Sequence, residues 1–234
     1  MLAKSGPKVT TPYWSHIGRR DCDAWWENET EWHRRWKSYF PAAEREIVHF
    51  DEAGEKHVAD VKTSRGMVIE CQNSDMSLDE LRARETFYGK MMWIVNGEPF
   101  KERFHILSAL PDPASEFAAD LVFCEQRFNS LGRGFFWKKS ENPGHEGRMA
   151  ANDLFLMHSV REIEADIAAN HRGHYLFDWK RPRDVWYAAT APVFLDLGGP
   201  DLLWLQTYDE RGLRCIREVR KLDVITKNGG VFTE

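Results

Sequence analysis

The chain has 234 residues and a mass of 27.3 kDa, with 42% hydrophobic residues, 29% charged residues and a mean hydropathy of −0.56. That suffices for one substantial core. No apolar run reaches the length of a membrane span and MLAKSGPKVT lacks the apolar stretch of a signal peptide, so a soluble, cytoplasmic protein with no membrane partner is expected. Lys+Arg 32 against Asp+Glu 37 gives a net charge of −5, which excludes a globally cationic nucleic-acid coat while leaving room for a local basic groove.

Residues 1–27 read as an irregular N-terminal segment broken by Pro7, Pro12 and Gly18. A helix should begin near Asn28, with Glu31 at capping-box spacing, Trp32 and Trp36 on an apolar stripe, and Pro41 as its stop. Three strands follow at 46–50, 57–62 and 67–72, the last two joined by the tight turn Ser64-Arg65-Gly66. Ser77 with Glu80 starts a second helix, and Met92-Trp93-Ile94-Val95 is a further strand. Beyond residue 100, the stretch near 149–170 looks helical and 193–197, 202–205 and 213–216 look like strands. The fold class is therefore α/β (α+β), a central mixed sheet flanked by helices. Cys22, Cys71, Cys124 and Cys215 form no C-x-x-C pair, which argues against a disulfide framework and a four-cysteine zinc ribbon. The ten tryptophans read first as aromatic core and second as stacking surfaces for bases.

The informative stretch is Asp60 to Gln72. A hairpin turning about Arg65 sets position 60 opposite 70, with side chains roughly 4.5–5.5 Å apart at Cβ. Simple alternation puts Asp60 and Lys62 on one face, and Glu70 and Gln72 on one face. Two carboxylates that close repel unless a cation lies between them, and hard divalent ions bind to such pairs. A polar group two past Glu70 would position the attacking water, a phosphodiester-cleaving arrangement. The bland alternative is a pair of solvated hairpin acids. The apolar run around Glu70 weighs against it, because an unpaired carboxylate there is costly.

Asp60 followed by Glu70-x-Gln72 resembles the core of the PD-(D/E)XK nuclease superfamily, with Gln72 where the motif usually has Lys. More closely, Glu29-Thr30-Glu31-Trp32-His33-x-x-x-Lys37, His57-Val58-Ala59-Asp60-Val61, Val68-Ile69-Glu70-Cys71-Gln72-Asn73-Ser74 and Arg84-x-x-x-Tyr88 resemble the competence protein CoiA-like nuclease family over residues 29–95. The resemblance implies a restriction-endonuclease-like core over 28–100 and a C-terminal α/β extension, 101–234, packed on it. It implies a Mg²⁺- (or Mn²⁺-) dependent deoxyribonuclease acting on single- or double-stranded DNA in competence, recombination or defence against foreign DNA. Asp60 and Glu70 would ligate the metal with the Cys71 carbonyl as third ligand, and Gln72 would orient water. Glu31 would be the helix carboxylate, and His33 and Lys37 further polar positions of the motif.

Lys62 as a replacement for the missing motif lysine is an inference from its position rather than from the family. Arg84 either packs under the strands or meets a phosphate. Helix arithmetic puts Glu29, His33 and Lys37 on one stripe and Glu31 roughly 200° from His33, so Glu31 serves equally well as a cap residue. His33 by itself reads more often as a core or surface histidine than as a ligand. Only His16 and Cys22 remain of the family's cysteine-rich segment, so no zinc is expected.

Arg19-Arg20, Arg34-Arg35, Lys138-Lys139 and Lys180-Arg181-x-Arg183 are candidate backbone contacts, each also readable as solvated surface. His145, His158, His171 and His174 show no spacing that reads as a site. Residues after about 100 admit three readings: sheet extension, substrate lid or homodimer interface. A nuclease-fold module that binds DNA or a partner without cutting is the competing function, and an RNA-directed nuclease a weaker third.

Overall fold

The computed structural model describes residues 2–4 and 13–15 (backbone only), 25, 28–52, 54–129, 134–143 and 156–233. His16, Cys22, Arg19-Arg20, His145 and the 149–155 part of the helix expected near 149–170 lie outside them, and the described remainder of that stretch is strand at Met157–Ser159 and helix only at Glu164–Asn170. Strands β1 (Leu2–Lys4) and β2 (Tyr13–Ser15) pair antiparallel within the segment expected to be irregular.

Helix α1 spans Glu31–Ser38 and is capped by Thr30, not by Asn28. The Thr30 hydroxyl accepts from the His33 N–H at 3.4 Å, and His33 Nδ1 accepts from the Thr30 N–H at 3.1 Å. His33 thus takes the role expected of Glu31, because its ring reaches back to the cap backbone as a carboxylate would. Strands β3 (Arg45–Phe50), β4 (Lys56–Lys62) and β5 (Val68–Gln72) follow. The β4–β5 turn closes at Gly66, whose φ of +75° suits a residue without Cβ. Helix α2 (Leu78–Tyr88) is capped by Ser77, as its sequence predicts, and Gly89 at φ +64° ends it. It crosses over to β6 (Met91–Asn96), which pairs parallel with β5.

The remaining elements are β7 (Phe104–Pro111), β8 (Leu121–Phe123), β9 (Phe135–Lys138), β10 (Met157–Ser159), α3 (Glu164–Asn170), β11 (His171–Trp179), β12 (Val193–Asp196), β13 (Asp201–Thr207), β14 (Arg214–Arg220) and α4 (Lys221–Lys227). The main sheet runs β3-β4-β5-β6-β12-β13-β14-β11-β7, with β12 parallel to β6, and β10-β9-β8 form a small separate sheet. Residues beyond 100 therefore continue the sheet begun by residues 45–96. The molecule is a mixed α/β fold built on one large mixed sheet, and no helix among the described residues is long and apolar enough to cross a membrane.

Three buried clusters pack on the main sheet, one of them around Leu110, Phe123, Leu176 and Cys215 at its far end and the other two on opposite faces of its centre. On one face α1 and α4 bury Trp36, Phe40 and Ile225 against Ile69, Cys71, Ile94 and Phe194. On the other, Leu81 of α2 packs with Val68, Trp93, Val95 and Trp186. Strands β5 and β6 are buried along their whole length, as befits parallel strands covered on both sides. Buried Asp196 at the end of β12 ties the helices down. Its Oδ2 accepts from Trp32 Nε1 (3.1 Å) and Trp36 Nε1 (2.8 Å), and its Oδ1 from Lys221 Nζ (2.8 Å).

Replacing Asp196 by Ala strands the Lys221 ammonium and two indole N–H groups. It should lower stability by about 3 kcal/mol in urea denaturation, with Lys221→Met on that background recovering part of the loss. An unchanged midpoint would show that this carboxylate does not anchor the helices.

Candidate active site

The β4–β5 ladder is regular at Lys62↔Val68 and Val61↔Ile69, which continues to Asp60 opposite Glu70. There side-chain bonds replace ladder bonds. The Asp60 N–H donates to Glu70 Oε1 (3.3 Å), and the Cys71 N–H donates to Asp60 Oδ2 (2.9 Å). Strand β4 also rolls at this point: Ala59 belongs to the core on the α2 face and Val61, two residues on, to the core on the α1 face. Across from Asp60, Glu46 of β3 has a φ of +53°, a strained value for a residue with a side chain. Strict alternation through Asp60 thus fails, and Lys62 does not accompany it. Lys62 lies outside the cavity described next, and its charge acts on His49 instead.

Because the strands part, both helices reach one cavity of about 160 Å³, lined by Glu29, His33 and Lys37 from the α1 side, Arg84 from α2, and Asp60 and Glu70 between them. Glu70 is 3% exposed. Its Oε2 accepts from Arg84 Nη1 at 3.0 Å, while Arg84 Nη2 donates to the Trp25 carbonyl at 2.7 Å and to Glu80. Arg84 is thus packed beneath the strands and holds a carboxylate. His33 Nδ1 accepts from the Thr30 N–H, which assigns the proton to Nε2, and Nε2 donates to the Cys71 carbonyl at 3.1 Å. Lys37 pairs with Glu29 and with Glu46 (2.8 Å).

Burial, followed by the Asp60 charge, pushes Glu70 up to about 8. Burial likewise raises Asp60, against the Cys71 N–H and the nearby cations. The pair titrates as a unit. Burial opposes the Lys37 charge, but its bonds to Glu29 and Glu46 outweigh this and raise its pKa. The site has too little positive charge: Asp60, Glu70, Glu80, Glu29 and Glu46 share Arg84 and Lys37. Asp60 Oδ1, the one oxygen of the pair that accepts no hydrogen bond among the described residues, suits a hard divalent cation.

The stripe Glu29, His33, Lys37 is what reaches the cavity. Glu31 is exposed and outside it. Gln72 is buried but also outside the lining, with Nε2 donating to Ser74 Oγ at 3.1 Å and Oε1 without a partner. Glu46 had no signal in the sequence, since its approach depends on the positive φ. Nearby, ligand atoms of Asp51, Glu55 and His57 come within 4.8 Å of one another, although Asp51 Oδ1 also accepts the Glu55 N–H at 2.7 Å and so closes its own turn. This group too is invisible to spacing rules, because a turn assembles it. Compared with protein-family models, curated proteins and solved structures, the chain matches none.

Glu70 keeps its proton to about pH 8 when folded and loses it near 4.5 when unfolded. Its protonation therefore favours folding fully at low pH, and this contribution declines from about 4.5 and is gone above about 8. Without divalent ions, Glu70→Gln should gain several degrees in melting temperature on the wild-type chain as pH rises from about 5 to about 8.5. Parallel curves would show that Glu70 titrates normally.

Proposed function

We propose that the chain is a metal-dependent deoxyribonuclease of the PD-(D/E)XK type, akin to the CoiA-like family. The observation that carries this reading is the meeting of Asp60 and Glu70 where β4 and β5 part, in a cavity with more carboxylates than cations. The order α1, β3, β4, β5, α2, β6 supports it, since helix, three strands, helix and strand is the element order of that superfamily.

Asp60 and Glu70 would hold Mg²⁺ or Mn²⁺, which when bound polarises the scissile phosphate and makes a coordinated water more acidic. The chain's own groups do the rest. His33 pins the Cys71 carbonyl, so the backbone oxygen beside the two carboxylates has a fixed direction. Arg84 orients Glu70 from below. Lys37 stays protonated at the cavity wall and offers the positive charge that Gln72, outside the cavity, does not. DNA is the substrate this reading favours, in uptake, recombination or defence.

A second reading, a nuclease-like module that binds DNA without cutting, is favoured by one detail. Glu70 Oε2 is already taken by Arg84, and the residue at the motif-lysine position is buried elsewhere.

Plasmid and single-stranded DNA should be cut in Mg²⁺ or Mn²⁺, with Asp60→Ala and Glu70→Ala each at least about a hundredfold slower. Mn²⁺ should also raise the melting temperature of the wild-type chain and not that of Asp60→Ala. Cutting by both variants at the wild-type rate would remove these residues from the chemistry. DNA binding with no cutting in either metal would favour the second reading.

A further inference from the structure

Paired positions run across the α1 face of the sheet from the cavity toward β11: Cys71↔Ile94, Ile94↔Phe194, Phe194↔Trp204, Trp204↔Arg217 and Arg217↔His174. At about 4.8 Å per strand, Arg217 lies roughly 20 Å along the sheet from Cys71. Here the face opens into a cleft of about 510 Å³ whose walls include Asp112, His174, Trp204, Gln206, Thr207 and Arg217.

Two groups in this cleft lack the partners their burial calls for. His174 is 4% exposed, and its Nδ1 has no hydrogen-bond partner. Arg217 is half-buried, and among the described residues it makes no ion pair or hydrogen bond. A buried imidazole nitrogen and a half-buried guanidinium are each costly when left unsatisfied, and here they sit side by side on adjacent strands. Burial, then the Arg217 charge, hold His174 below the ordinary histidine range, against the Asp112 charge and a hydrogen bond with the Gln206 side chain. Asp112, the acid of the cleft, is engaged in its own turn, where it accepts the Ala114 N–H at 3.1 Å.

A planar guanidinium fork beside an imidazole matches a tetrahedral oxyanion. We propose that this cleft binds a phosphate group through Arg217 and His174, carried either by a nucleic-acid backbone or by a free nucleotide. The backbone source rests on the nuclease reading. It would seat a phosphate of the same strand well away from the cut and lengthen the footprint. The phosphate site itself does not depend on that reading.

The test uses the full chain, with inorganic phosphate titrated against chloride at matched ionic strength and followed by thermal unfolding. A short labelled oligothymidylate is followed by fluorescence anisotropy. Arg217→Gln should weaken binding of at least one probe by about tenfold or more, and His174→Gln should weaken the same probe. Arg220→Gln removes the same charge from the exposed end of that strand and should change binding less than about twofold. Arg217 is half-exposed, so its variant keeps the test decisive if His174→Gln misfolds. Loss of the oligonucleotide identifies the backbone as ligand, and loss of phosphate alone identifies a free phosphate or nucleotide. Equal effects of Arg217→Gln and Arg220→Gln, or a wild-type chain that binds neither probe, would overturn the site. Both probes are read without divalent metal and cleavage only with it, so failure of cleavage and failure of this cleft are read separately.

Discussion

Two carboxylates stand where backbone hydrogen bonds would otherwise join β4 to β5. The Asp60 N–H is met by Glu70 Oε1 and the Cys71 N–H by Asp60 Oδ2, so the strands separate with these two donors satisfied. The backbone is served, but two like charges are left together in a poorly solvated gap. The rise of both carboxyl pKa values is the consequence, and Arg84 is the partial remedy. The neighbouring features follow from this one substitution of side chain for ladder. The cavity exists because the strands part, and α1 and α2 meet it from opposite faces for the same reason.

A site of this kind needs rigid walls, and other buried carboxylates provide them. Asp196 gathers the indole N–H groups of Trp32 and Trp36 with the Lys221 ammonium, which sets α1 firmly over the end of β12. Glu85 of α2 accepts from Trp93 Nε1 (3.1 Å), the Thr190 hydroxyl (2.6 Å) and the Ala191 N–H (3.0 Å), which locks α2 against β6 and the segment before β12. Trp32, Trp36 and Trp93 are therefore architectural. Each of these rings fills a core and presents its N–H to an acid that would otherwise be unsatisfied. Helices held in this way keep His33 on the Cys71 carbonyl and Arg84 on Glu70 without rearrangement.

Much of the candidate site was readable from spacing. The turn at Gly66 sets the hairpin register, and the register alone brings Asp60 opposite Glu70. Helical arithmetic puts Glu29, His33 and Lys37 on one stripe, and that stripe lines the cavity, whereas Glu31, the helix carboxylate the resemblance implied, does not. What spacing missed came from breaks in regularity. The roll of β4 at Asp60 separates Lys62 from the cavity, and the positive φ of Glu46 turns an edge-strand acid toward Lys37. The cap went to Thr30 and His33 because a histidine ring competes with a carboxylate for a free N–H, a contest that residue preferences do not rank.

Local chemistry sufficed for the α-helices and strands between residues 31 and 96 and for the register of their central hairpin, because turns, caps and period-two burial act over a few positions. Only the folded chain decided that residues beyond 100 complete the same sheet, with β12 beside β6. It also decided that Arg217 and His174 become neighbours on β14 and β11. Those pairings join segments about a hundred or about forty residues apart. They are chosen by the total area buried and the polar groups satisfied across the whole sheet, quantities that no short stretch of sequence carries.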